Sequence, residues 1–268
     1  MKIPANVVGC RIGPIEQEVD KRWLMAYSAG LGETAWPHPL FPVCYEWPAT
    51  TGLRERAGLQ PLNAQLVHAQ HDLTIHRPLA PGKLSISGEV IAARERRPGV
   101  TVVFRLSTRD VRGEAVTTTD FTVLYRGTQL QGEARGEAAD PPAHTVPLVP
   151  AGEVPVAATA AHVYTECARI WNPIHTDPDY ARAAGLPGII LHGTATLALS
   201  VSKILSRFNC DYRSVKRVQC RFSGMVLMPG MLEVRGARQD GTLLFETRNA
   251  DGKTVIERGS VTLETHAA

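Results

Sequence analysis

Two short runs hold residue types that can move protons. The first is Asn172-Pro173-Ile174-His175-Thr176-Asp177, and the second, after a small loop, is Ile190-Leu191-His192-Gly193. An imidazole titrates near neutrality, so His175 can act as an acid or a base. Proline fixes one backbone dihedral, so Asn172 and His175 leave the same turn in defined directions. The Asn172 amide can hold a water or a substrate group, and Gly193 closes its loop with an unshielded backbone N–H. A lone histidine on a loop is ordinarily a plain polar residue; the pairing of the two runs is what marks a site. Asp177 precedes Pro178, which reads as the N-cap and first position of a short helix.

The elements that must carry these runs follow from apolar spacing. Residues 19–32 have helical periodicity, with Asp20 as N-cap and glycines at the end. Residues 157–170 repeat that pattern, and 197–208 form another apolar helix. Strand patterns appear twice. Leu73 to Leu84 passes through Pro81-Gly82 into Val102 to Ser107, a turn at Arg112-Gly113 and Asp120 to Tyr125. Val218 to Phe222 leads through Pro229-Gly230 into Leu243 to Thr247, a turn at Asp251-Gly252 and Ser260 to Glu264. Each set holds a hairpin across a glycine turn, so the chain is an internal repeat. Residues 131–156, rich in Gly, Pro, Ala and Glu, read as a linker. The expected organisation is a domain at 1–130, the linker at 131–156 and a second domain at 157–268. In each domain a curved antiparallel sheet wraps a central helix, which is an α+β architecture.

With 268 residues and 44% apolar composition, two ordinary cores can be buried. The net charge of +3 comes with interspersed signs, so no basic stripe points to nucleic acid. Five cysteines without C-x-x-C spacing suit a reducing compartment, and no leader or membrane-length apolar run is visible, so a cytoplasmic location is expected. His68, His71 and His76 are spaced by odd intervals along a strand; alternation puts His68 and His71 on opposite faces, so no metal is expected there. Trp36, Trp47 and Trp171 are read as lining a core or pocket. No phosphate-cradling glycine loop is present, so no cofactor is expected.

Taken together, Tyr164, Asn172-Pro173-Ile174-His175, Tyr180-Ala181 and Ile190-Leu191-His192-Gly193 resemble the signature of the two-domain MaoC-like dehydratases, the (R)-specific enoyl-CoA hydratase group. Ala26 to Gly32 and Phe41-Pro42-Val43 resemble that family's N-terminal domain. The resemblance implies a double hot dog fold, one site per chain in the second domain, an acyl-binding first domain and a homodimer. It implies as substrate an acyl-CoA or acyl-carrier thioester, undergoing reversible hydration and dehydration. His175 would be the acid/base, Gly193 N–H the oxyanion donor and Asn172 an orienting group, with Tyr164, Trp171 and His192 in contact with substrate. Arg94, Arg96, Arg97, Arg213, Lys216 and Arg217 are cations able to meet CoA phosphates.

The sequence departs from the family where Cys167-Ala168-Arg169-Ile170 stands for Leu-Ser-Gly-Asp, so Ile170 occupies the place of the catalytic aspartate. Losing one member of an acid/base pair typically costs a factor of about 10² to 10⁴ in rate. Three explanations stand side by side. Another carboxylate substitutes, Glu166 one turn earlier or Asp177 just after; His175 acts alone or with an acid such as Glu33 or Asp72; or the site binds a thioester and turns it over poorly. The rival functions are a non-catalytic thioester-binding subunit and a hot dog thioesterase.

Overall fold

A computed structural model describes residues 1–264. In chain order the helices are α1 (Lys21–Gly30), α2 (Pro42–Arg56), α3 (Ala160–Ala168), α4 (Pro178–Ala183) and α5 (Gly193–Arg207). The strands are β1 (Lys2–Pro4), β2 (Arg11–Val19), β3 (Leu66–Ile75), β4 (Gly82–Arg96), β5 (Gly99–Asp110), β6 (Ala115–Arg126), β7 (Gln129–Gln131), β8 (Val149–Val156), β9 (Val215–Phe222), β10 (Gly230–Gln239), β11 (Thr242–Arg248) and β12 (Thr254–Leu263). Two compact units interleave along the chain. The first holds residues 1–19, 45–78 and 82–140; the second holds 20–44, 79–81 and 141 onward.

In the first unit an antiparallel sheet runs β2-β4-β5-β6-β3, and β1 pairs in parallel with β7. Its helix is α2, which places Leu53 in a core with Val90, Phe104, Val123 and Tyr125. This helix is hidden from periodicity. Pro48 and Gly52 lie inside it, and its first residues are buried all round, polar Glu46 among them. Glu46 is tolerated because Thr117 and Thr119 of β6 donate to Oε1 at 3.2 and 2.9 Å. The helix expected at 19–32 does form as α1, capped by Asp20 Oδ1 accepting from Trp23 N–H at 2.6 Å. It belongs, however, to the second unit, where Trp23 Nε1 donates to the Cys167 carbonyl of α3 at 3.1 Å.

Strict alternation fails at one place in β3. The register shifts between His68 and Gln70, a β-bulge that inserts one extra residue. His68 and His71 therefore share a face, with ring centroids 5.5 Å apart. Among the described residues, no group of three or more His, Cys, Asp or Glu side chains is arranged to hold a metal.

The second unit repeats the strand order as β8-β10-β11-β12-β9. Its helix is α5, whose Leu197, Ala198, Val201, Ile204 and Leu205 recur at helical spacing and are all buried. Each large side chain so buried contributes about 1.5–3 kcal/mol. Gly236 of β10 makes the close approach possible, since a Cβ there would stand 2.1 Å from Ile204 Cδ1. Residues 149–156, read as linker, are strand β8 paired with β10. Its Pro150 and Pro155 suit a strand at the outer end of the second unit's order, where a missing N–H disrupts no inner ladder. Among the described residues, no helix is long and apolar enough to cross a membrane.

Candidate active site

All of the central site residues lie in the second unit. Helix α3 ends at Arg169, which adopts a left-handed φ of 56°, and the Ile170 N–H returns to the Thr165 carbonyl at 3.1 Å. Left-handed backbone favours glycine, the residue the signature has here; Arg169 is held there with its guanidinium 4.1 Å from the Trp23 ring centroid. The chain then enters a one-turn helix, Pro173–His175, capped by Asn172 Oδ1 accepting from Ile174 N–H at 3.4 Å. The cap uses the oxygen and leaves the amide nitrogen of Asn172 for other partners.

The His175 ring is buried, and its Nδ1–H donates to the Ile190 carbonyl at 2.8 Å. A carbonyl only accepts, so this bond fixes the tautomer and leaves Nε2 with its lone pair. Burial pushes the His175 pKa down to about 4, against a smaller upward effect of the Ile190 carbonyl. The His175 imidazole is therefore neutral at physiological pH. The His192 ring stacks on it with centroids 3.6 Å apart and 23° between planes. His192 is pushed down to about 2, chiefly by burial and next by His175.

His192 is also the N-cap position of α5, and Gly193 is the first helical residue. The first-turn amides of a helix have no intrahelical acceptor and sit at the positive end of its dipole, so the Gly193 N–H can receive an anionic oxygen. A Cβ at Gly193 would lie 3.4 Å from the Phe222 ring, so this side of the turn is closely walled. Tyr164 is 2% exposed, donates to Thr194 Oγ1 at 3.0 Å and packs against His192 at 4.9 Å. Burial raises its phenol well above the usual range.

Several expected residues lie elsewhere. Glu166 is exposed, whereas its α3 neighbours Tyr164 and Thr165 are buried. The Asp177 carboxylate is occupied as N-cap of α4, accepting from Asp179 and Tyr180 N–H at 2.9 and 3.0 Å. Ile170 is 4% exposed, and among the described residues no carboxylate is bonded to His175. Glu33 interacts with Tyr212, which hydrogen-bonds Ser202 nine residues into α5, about 13 Å along the axis from Gly193. Asp72 lies on β3 of the first unit, opposite Asp120. Trp171 is 64% exposed. Arg96 and Lys216 are in ion pairs with Asp140 and Glu264, and Arg94 bonds the Gly136 carbonyl. Sequence reading missed Thr165, whose Oγ1 is 3.3 Å from His192 Nε2, as well as Thr194 and Phe222. It also missed the Ile190 carbonyl, which no side-chain pattern can announce.

Residues 143–259, which include every central site residue, match the family described as MaoC like domain. The chain carries a MaoC-like domain. It is 30% identical over 189 residues to 3-hydroxyacyl-thioester dehydratase X of Mycobacterium tuberculosis, covering 68% of this chain and 63% of that protein. It is 31% identical to peroxisomal multifunctional enzyme type 2 of Drosophila melanogaster over 76% of this chain, but spans only 35% of that larger protein. Among solved structures, a MaoC-like dehydratase from Phytophthora capsici superposes with a TM-score of 0.83 at 21% identity, over 97% of both chains. A Mycobacterium tuberculosis protein described as having a double hotdog fold gives 0.62 at 14% identity, over 95% of both chains. The MaoC-like domain thus sits in a double hot dog of α+β class, as the family resemblance implied.

Proposed function

We propose that the chain catalyses reversible hydration of a trans-2-enoyl thioester to a 3-hydroxyacyl thioester, of the (R)-3-hydroxyacyl-CoA type. The observation that carries this reading is the His175 ring, neutral, anchored through Nδ1 and presenting Nε2 next to the loop that ends in the Gly193 amide. The relative named a 3-hydroxyacyl-thioester dehydratase supports the reaction class.

The missing carboxylate is accommodated by a single-base cycle. Water, held by the free amide of Asn172, loses a proton to His175 Nε2 as its oxygen bonds to C3. The C2=C3 electron pair moves toward the thioester oxygen, where the Gly193 N–H stabilises the enolate. The imidazolium then returns its proton to C2, so one water is added and the base is regenerated. Tyr164 supports His192 from behind, and Trp171 meets substrate from its exposed position. Spectrophotometric assay of the full chain with trans-2-enoyl-CoA esters tests this. Turnover that His175→Ala abolishes is expected; no turnover, or full turnover in His175→Ala, overturns it.

Ile170 also favours a second reading, a thioester-binding protein with little turnover. Calorimetric binding of a saturated acyl-CoA with no hydration of its enoyl counterpart would select that reading.

A further inference from the structure

The Ile190–Gly193 loop reaches the base through one side chain whose part in the single-base cycle is not defined by that cycle. His175 is held at one edge by the bond to the Ile190 carbonyl. One hydrogen bond fixes a tautomer and a pivot, yet lets the ring swing about that pivot. The swing is stopped by the stacked ring of His192, 3.6 Å away. His192 is in turn immobilised. Thr165 Oγ1 lies 3.3 Å from its Nε2, Tyr164 packs behind it, and its carbonyl accepts from the Thr196 N–H at 2.9 Å and hydroxyl at 3.1 Å. An interaction with the Ile170 backbone holds the ring as well. A polar ring held on several sides and stacked face to face on His175 points to a part in the chemistry.

We propose that His192 is a positioning residue that holds the plane of the His175 ring and offers its flat face to the imidazolium formed when Nε2 takes a proton. The proposal rests on the hydration reading for its place in the reaction. A cation over an aromatic face is attracted to it, most strongly where water is excluded. His192 brings no opposing charge, because it stays neutral beside His175. Among the described residues it is the titratable side chain in contact with His175; Tyr164 stands behind it, and Glu166 and Asp177 face solvent.

Two variants separate a flat face from filled volume. His192→Leu fills the space without a π face, and His192→Phe keeps the face but loses the Thr165 contact; His192→Met replaces Leu if the Leu variant fails to fold. In His192→Leu, kcat on a trans-2-enoyl-CoA should fall at least about tenfold with KM little changed, as misaligned catalytic groups cost rate rather than binding. The His175 midpoint, read by ¹⁵N NMR titration, should fall by about half a unit. His192→Phe should recover most of both losses. Equal behaviour of the Leu and Phe variants, or a raised KM with unchanged kcat, overturns the proposal. The NMR titration needs no turnover. A chain inactive on enoyl-CoA esters therefore refutes the hydration reading, while the His175 midpoint still decides the role of His192.

Discussion

Ile170 is the residue at which this chain's chemistry and packing disagree with the family signature. Its side chain is 4% exposed, and its backbone position is set by the left-handed turn at Arg169. Restoring a carboxylate exchanges apolar burial for an acid at the place the signature gives to aspartate. Ile170→Asp is expected to lower stability by about 2 kcal/mol, the transfer free energy of a buried aliphatic side chain. It should also raise kcat/KM for enoyl-CoA hydration at least about tenfold. Paired denaturation and steady-state measurements check both numbers. A stability loss without a rate gain would mean that the absent aspartate does not limit this site.

At the scale of elements, α5 presents an amide as well as an apolar face. Proline is well tolerated at the first helical position, and His192 has φ −57° and ψ 138°, the extended conformation a residue before proline needs. Gly193→Pro should therefore keep the helix and remove the N–H, leaving the melting temperature nearly unchanged while kcat falls by about 10² to 10³. Circular dichroism with kinetics checks the pair of outcomes. What could be read from sequence follows the same division between pattern and context. The caps Asp20 and Asp177, the hairpin turns and the stripe of α5 depend on local spacing and were legible. Helix α2 was not, because Pro48, Gly52 and Glu46 are made acceptable only by strands far along the chain, such as Thr117 and Thr119 of β6. Likewise, the Asn-Pro-x-His run singles out His175, whereas the anchor of that ring is a main-chain carbonyl and its stacking partner, His192, is expected from sequence to meet substrate.

For the whole molecule, buried histidines and a buried carboxyl set opposing responses to pH; His71 of the first unit, lowered to about 4 chiefly by burial, responds like the histidines of the second. His38, His175 and His192 of the second unit have pKa values lowered to about 3, 4 and 2, in each case first by burial. An unfolded chain takes up these protons from about pH 6.5 downward and the folded chain does not. Their stabilising contribution is thus full above about pH 6.5 and lost as pH falls toward the folded values. Glu46 of the first unit behaves in reverse, its pKa raised by burial from 4.5 to about 8 despite the two threonine bonds. Its contribution is present below about pH 4.5 and lost as pH rises through about 8. Thermal melts from pH 4 to 9 should fall at both ends, and Glu46→Gln should relieve the alkaline decline alone. The bulge in β3 has a different consequence, one for chain length. Losing a residue from a strand interior normally turns half of its side chains to the wrong face. Ala69 is an exception, because it lies within the irregular step between His68 and Gln70. Deleting it would bring His68 and His71 to a spacing of two, with Leu66, His68, His71, Leu73 and Ile75 in plain alternation on one face. The shortened chain should therefore fold with a melting temperature close to that of the parent, whereas deletion of Thr74, only five positions on, should not be tolerated.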